Sequence, residues 1–221
     1  MVVRSSYRLA QRERCDRRPA TATGSLSCQA APDFAGASAS DAARFAAARV
    51  IDANDHQGLP FAIVDKRDAR IYVFEPTGRL IGASVVLLGA TLGDQIVPDA
   101  TLRTPGRPAP DERTTPAGRF DSAPGRNNKG EAIVWVDYGA SFAIHRLRAA
   151  PAAERRAARL ASPTPEDKRI SLGCVVVPVA FYDGVVAPSL GSGRGVVYVL
   201  PESRPARAMF DTAVVAGASS D

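Results

Sequence analysis

Residues 170–178 read ISLGCVVVP, a short apolar run with a Gly-Cys pair in its middle. Its β-branched residues predict a strand, and Pro178 suits the first turn of a helix that follows. Upstream, residues 143–146 (AIHR) have the same strand-like character. The chain contains only two histidines and three cysteines, and these two segments hold one of each. Whether Cys174 and His145 meet in space therefore decides which chemistry the chain can perform.

The chemistry open to such a pair is nucleophilic catalysis. A free thiol has a pKa near ~8.5 and is only a few per cent ionised at neutral pH, so a catalytic cysteine needs help from a base that lowers this pKa. His145 can take the thiol proton and return it to a leaving amine. The backbone N–H groups of Gly173 and Cys174 are candidate donors to an oxyanion. A buried structural thiol beside a core histidine is the alternative interpretation.

Outward from this pair, the alternation of apolar and polar residues predicts a series of strands. Strands are expected over residues 61–64, 71–74, 80–88, 118–120, 133–138, 141–146, 170–177 and 195–200, and helices over 41–54, 152–160 and 178–186. The elements do not alternate as βαβ units would. The predicted fold is therefore mainly β, an antiparallel β-sandwich or partly closed barrel with one or two flanking helices.

The predicted domain organisation has three parts: a disordered basic segment (1–40), a folded catalytic domain (41–201) and a mobile tail (202–221).

The formal net charge is +5, and residues 1–20 alone contain six arginines against two acidic residues. The excess positive charge lies in a terminal segment rather than in a groove of the folded domain, and aromatic and basic residues are not interleaved. No nucleic-acid binding is therefore expected. No apolar run approaches the ~20 residues of a membrane span, and no clear signal peptide is predicted.

Two segments carry a family resemblance. Ser171, Gly173, Cys174 and Val175 resemble the Ser/Thr-His-Gly-Cys-hydrophobic signature of the L,D-transpeptidase catalytic domain (the YkuD type), in which a histidine comes earlier, as His145 does here. Residues 115–120 (TPAGRF) resemble a Thr-Pro-x-Gly-x-aromatic segment that precedes this signature in the same family. The resemblance covers about residues 60–200 and implies a β-sandwich or partly closed barrel of the L,D-transpeptidase type.

The resemblance also implies a reaction on peptidoglycan stem peptides. Cys174 would attack the carbonyl of the third residue of a tetrapeptide stem, and D-Ala would leave with a proton from His145. An amine of a second stem would then resolve the thioester into a 3→3 crosslink, whereas water would give an L,D-carboxypeptidase. The reaction requires no metal or organic cofactor. Because the family works outside the cytoplasmic membrane, a periplasmic or cell-envelope location is expected.

Further site residues are predicted around the pair. Ser171, Leu172 and Gly173 would position the thiol and the oxyanion. Residues 146–169 carry seven Arg or Lys against three acidic residues, so Arg146 and Arg169 are predicted to bind an anionic substrate, with a solvated basic face as the alternative. Much of this stretch looks like an insertion that could form a lid. His56 is predicted to be a surface residue, and no metal site is predicted because ligand partners for it are lacking.

Two positions depart from the family pattern. Leu172 stands where the signature has its second histidine, and Val176 stands where it has Arg or Asn. These departures motivate a second hypothesis, a cell-wall-binding module of the same fold with impaired catalysis. The retained His–Cys pair argues against it, because a binding module needs neither residue. A third hypothesis is an unrelated small β-protein with accidental matches. The acceptor stem and the oligomeric state are not readable from the sequence.

Overall fold

The computed structural model describes residues 31–95 and 109–211, and strands dominate this part of the chain. The strands are β1 Phe61–Asp65, β2 Arg70–Phe74, β3 Leu80–Val85, β4 Leu88–Gly89, β5 Gly118–Arg126, β6 Ala132–Asp137, β7 Phe142–Arg146, β8 Arg169–Ser171, β9 Val175–Val177 and β10 Gly195–Val199. Eight of them form one sheet in the order β3-β2-β1-β10-β5-β6-β7-β9, and β4 pairs with β8 separately. The predicted mainly β fold is confirmed.

Helices are few and short. They are α1 Asp41–Asp52, α2 Arg156–Ala161, α3 Val179–Phe181 and α4 Ala208–Asp211, and a π-helical turn, Tyr182–Val186, continues α3. Ser40 caps α1, since its hydroxyl accepts a hydrogen bond from the N–H of Ala43. Within the described residues, no helix is both long and apolar enough to span a bilayer.

The eight-stranded sheet nearly closes on itself. Leu87, just beyond β3, exchanges two backbone hydrogen bonds with Val176 in β9, with N–O distances of 2.8 and 2.9 Å. These bonds tie the chain just after β3, one outer strand, to β9, the other, so the sheet is closed at this one point. Of the two predicted architectures, the partly closed barrel describes this arrangement better than the sandwich.

Successive side chains of the central strands point to opposite faces of the sheet, and both faces are covered. In β2, Ile71 and Val73 join the main interior cluster, whereas Tyr72 and Phe74 point to the opposite face. That opposite face is covered by α1, which lays its buried apolar residues on it: Ala43, Ala46, Ala47, Val50 and Ile51. Because both faces are covered, the whole of β1 is buried.

The structure differs from the predicted pairing and strand lengths in two respects. Most pairs are antiparallel, but β1 pairs with β10, β7 with β9 and β4 with β8 in parallel. The predicted strand 170–177 is broken into β8 and β9, because Gly173 adopts a φ of +131°. A strand cannot continue through that left-handed conformation, and the break turns the chain at Cys174.

Residues on both sides of the predicted domain boundaries pack on the barrel. Within the segment predicted to be disordered, Phe34 is buried and its ring packs on those of Tyr72 and Phe74. Within the predicted tail, Phe210 of α4 packs on Tyr198. Residues 31–40 and 202–211 therefore pack on the barrel rather than extending freely. The remainder of the two predicted terminal segments, residues 1–30 and 212–221, lies outside the described residues.

Candidate functional site

The pairing of β7 with β9 brings the histidine and cysteine segments together. His145 lies opposite Val176, and Ile144 opposite Val175. Opposed residues point to the same side, so His145 shares a side with Val176, away from the main interior that holds Ile144 and Val175. Cys174 comes two positions before Val176, and the alternation of a strand would place it on the side of His145. The structure therefore places His145 on β7 and Cys174 in the turn directly before the neighbouring strand β9.

The thiol of Cys174 has a pKa above its ordinary value. Burial raises the pKa of its thiol, and this effect outweighs a backbone hydrogen bond from Ala143 and the positive charge of Arg148, which both lower it. The sulfur donates its hydrogen bond to the carbonyl oxygen of Ser141, 3.5 Å away. The expected lowering of the thiol pKa by a neighbouring imidazole is therefore wrong for the resting site.

His145 is a neutral imidazole with one nitrogen in use. Its Nδ1 lies 2.8 Å from the carbonyl oxygen of Arg146. A carbonyl only accepts, so Nδ1 carries the proton and Nε2 holds the free lone pair of a general base. Burial, helped by the charges of Arg148 and Arg156, lowers the pKa of His145 from 6.5 to about 4. The resting pair is therefore a neutral thiol and a neutral base rather than a thiolate–imidazolium pair.

The turn that carries Cys174 is held by hydrogen bonds from both directions. The Ser171 hydroxyl donates to the carbonyl of Cys174 at 2.6 Å and accepts from the N–H of Gly173 at 3.1 Å. A Cβ at Gly173 would lie 2.8 Å from the carbonyl oxygen of Thr114, so only glycine fits there. Because the Gly173 N–H already has a partner, Cys174 remains the better of the two predicted oxyanion donors.

Val176 explains one departure from the family pattern. Its side chain is fully buried and packs with Leu87 and with Leu160 of α2. Helix α2 belongs to the predicted insertion, and it therefore rests on the same side of the β7–β9 pair as His145. An Arg or Asn at position 176 would leave a polar group beneath this helix, so the apolar residue and the insertion suit each other.

The two predicted substrate-binding arginines each have a partner of their own within the protein. Arg146 pairs with Asp183 at 3.2 Å and lies over the ring of Tyr182. Arg169 pairs with Glu202 and donates to the carbonyl of Lys66, so both arginines already have partners. Leu172, in contrast, is 43% exposed at the tip of the turn.

His56, predicted to lie on the surface, is buried instead. Only 3% of its surface is exposed, and its ring packs 5.2 Å from that of Phe61. Nε2 of His56 lies 2.9 Å from the carbonyl oxygen of Pro76. Among the residues that the structure describes, no group of three His, Cys, Asp or Glu side chains could hold a metal ion.

Two residues that the sequence did not single out belong to the site. Thr115 is fully buried, and its hydroxyl donates to the carbonyl of Gly173 at 2.8 Å. The TPAGRF segment contained the signal for it. Arg148 acts on the pKa of both Cys174 and His145, but among seven basic residues the sequence offered no reason to choose it.

The low pKa of His145 predicts a loss of stability on mild acidification. The unfolded chain takes up a proton near pH 6.5 that the folded protein resists until about pH 4, so stability falls as pH is lowered through this window. The loss attributable to His145 is about 3 kcal/mol, which urea unfolding at pH 7 and pH 4.5 will detect in large part. The His145→Gln variant should lose correspondingly less between these pH values; an equal loss in both proteins would contradict the assignment.

Comparisons with known proteins concern the fold. No family model matches the sequence, and no curated protein matches it significantly. A similar solved structure is that of an Enterococcus faecium L,D-transpeptidase variant, 16% identical, with a TM-score of 0.34, over 64% of this chain and 49% of that chain. The catalytic domain of the E. faecium enzyme is 15% identical, with a TM-score of 0.34, over 65% and 98% of the two chains.

A third similar structure is the helical cell shape determining protein Pgp2 from Campylobacter jejuni. It is 14% identical, with a TM-score of 0.41, over 72% of this chain and 55% of that chain. This chain thus spans about half the length of the two longer proteins. At such identities and TM-scores the likeness carries no argument about this chain's chemistry, and the site has to be argued from its own residues.

Proposed function

We propose that this protein is a cysteine acyltransferase of the L,D-transpeptidase type that acts on peptidoglycan stem peptides in the cell envelope. The observation that carries the proposal is the contact between the two segments with the family resemblance. Thr115 opens one of them and Gly173 precedes the cysteine of the other, and the Thr115 hydroxyl lies 2.8 Å from the Gly173 carbonyl oxygen. A contact between segments 58 residues apart in the chain supports the proposal that they serve one site, since accidental matches give no reason for them to meet.

The proposed reaction begins with a neutral pair. As the Cys174 sulfur bonds to the carbonyl carbon of the third stem residue, Nε2 of His145 takes the thiol proton. The carbonyl oxygen becomes an oxyanion, and the backbone N–H of Cys174 is the proposed donor to it. The C–N bond to D-Ala then breaks, and the imidazolium gives its proton to the leaving amine. A thioester on Cys174 is the product of this half-reaction.

The second half-reaction reverses these roles. The amine of a second stem attacks the thioester carbon, His145 accepts the proton of that amine, and the C–S bond breaks. The thiolate then recovers a proton from His145, so the site returns to its resting state and a peptide crosslink has formed. Water as the attacking group would make the protein an L,D-carboxypeptidase. Every proton is handled by these two side chains, so the proposal includes no cofactor.

Acylation by a carbapenem tests the proposal. Opening of the β-lactam ring by a thiol loses no atoms, so intact mass should rise by the full mass of one carbapenem. The adduct should be absent in Cys174→Ala and present in the Cys15→Ala/Cys28→Ala double variant, which retains only the proposed nucleophile. An unmodified wild-type protein would contradict the enzyme and leave the binding module as the better explanation.

A further inference from the structure

A buried threonine outside the predicted catalytic set is built into the turn that carries the nucleophile. The Thr115 hydroxyl donates to the carbonyl of Gly173 and accepts from the N–H of Gly89, each at 2.8 Å. Thr115 is fully buried, so water cannot replace either bond. The hydroxyl therefore links β4, the loop before β5 and the Cys174 turn through a single oxygen atom.

The backbone of Thr115 is itself held by a buried ionic cluster. Nζ of Lys66, whose side chain is fully buried, donates to the carbonyl of Thr115 at 2.8 Å and to Asp94 at 2.8 Å. Glu202 lies 3.4 Å from the same Nζ and also pairs with Arg169. Two cations thus face two carboxylates around Thr115. Burial alone would raise the pKa of Asp94, but hydrogen bonds from Lys66, Ser203 and the N–H of Glu202 hold it below its usual range.

The consequence for the nucleophile follows from the planarity of the peptide bond. Thr115 fixes the direction of the Gly173 carbonyl, and in a trans peptide the N–H on the other side of the plane points the opposite way. That N–H belongs to Cys174. Gly173 has a φ of +131°, which glycine adopts without steric cost, and its own N–H bonds to Ser171, so Ser171 and Thr115 together fix both backbone polar groups of Gly173.

We propose that Thr115 is a positioning residue that aims the backbone N–H of Cys174 at the oxyanion formed during acyl transfer. The inference rests on the proposed acyl chemistry at Cys174, but not on the identity of the acyl donor. It predicts that Thr115 matters for reactions that create an oxyanion and matters little for reactions that do not. A residue that merely supports the fold would affect both kinds of reaction alike.

Two small reagents separate these roles in a Cys15→Ser/Cys28→Ser background. Acetylation of Cys174 by p-nitrophenyl acetate passes through an oxyanion, whereas alkylation by iodoacetamide does not. We expect Thr115→Val to lower the acetylation rate about 10- to 10²-fold relative to the alkylation rate, less than the loss of an oxyanion donor itself. Thr115→Ser, which keeps the hydroxyl, should restore the ratio. Thr114→Val is the matched control, because the Thr114 hydroxyl bonds instead to the carbonyl of Gln95 on the surface.

The outcomes are distinguishable from failure of the proposed function. A rate ratio within twofold of the parent protein, a parallel fall of both rates, or no acetylation of Cys174 in the parent would each overturn the role of Thr115. If Thr115→Val does not fold, Thr115→Ala is measured in the same way. Should Cys174 react with the ester but with neither a carbapenem nor a tetrapeptide stem, the proposed substrate fails, and the ratio still decides on Thr115.

Discussion

Replacement of His145 by alanine is expected to slow carbapenem acylation of Cys174 by about 10²–10⁴-fold, the usual contribution of a positioned base. The reason lies in the resting protonation states. Burial raises the pKa of the thiol and lowers that of the imidazole to about 4, so the thiolate has to be generated during the attack. Stopped-flow or mass-spectrometric acylation rates at pH 7 measure the effect.

The matched control is the second histidine. His56→Gln should leave the rate within a factor of about two, because its ring packs on Phe61 and bonds to the Pro76 carbonyl, which glutamine can also reach. The acid limb of the wild-type rate should lie near pH 4 rather than near the ordinary histidine pKa, since His145 remains an unprotonated base above that value. An unchanged rate in His145→Ala would remove His145 from the mechanism.

Replacement of Lys66 by methionine should reduce the free energy of unfolding by about 3–5 kcal/mol, the usual cost of removing one partner of a buried ion pair. Lys66 is fully buried, and its ammonium group is shared between Asp94 and the carbonyl of Thr115. Without it, Asp94 keeps a charge that burial disfavours, and Glu202 loses one of the two cations that lie beside it. Urea unfolding followed by circular dichroism measures the loss through the transition midpoint.

An exposed ion pair supplies the control for this change. Arg79 and Glu75 are also bonded to each other, but the Arg79 side chain is 66% exposed, so Arg79→Met should leave the free energy of unfolding nearly unchanged. The double variant Lys66→Met/Asp94→Leu should recover part of the loss, because it removes the buried carboxylate as well. A loss below about 1 kcal/mol in Lys66→Met would show that the cluster contributes little to stability.

Much of the fold followed from local patterns. Short runs of apolar residues rich in β-branched and aromatic side chains identified the strands around Ile63, Tyr72 and Val197, because such runs are typical of strands covered on both faces. The break at Gly173 did not follow, since a glycine within an apolar run is compatible with a continuous strand. Only the folded structure shows the φ of +131° at Gly173 and the close approach of the Thr114 carbonyl, which leaves no room for a side chain there.

The candidate site was also predictable only where it depends on local sequence. The pattern of Ser171, Gly173 and Cys174 pointed to a nucleophile, because it is a matter of residue type and spacing. The partners of Arg146 and Arg169 were not readable, because Asp183 and Glu202 are brought to them by the fold. The burial of His56 was missed for the same reason: its neighbour Phe61 lies on a strand whose packing the local sequence does not reveal.

By itself, the amino-acid sequence determined a mainly β chain with one thiol and one imidazole in strand-like segments, because hydrophobic periodicity and residue chemistry are local properties. The tertiary structure alone decided the register that sets His145 opposite Val176, the bond from Thr115 to the Cys174 turn and the directions in which the pKa values of the pair are shifted. Strand register, burial and desolvation depend on residues that are distant in the chain, so these properties arise only when the barrel is assembled.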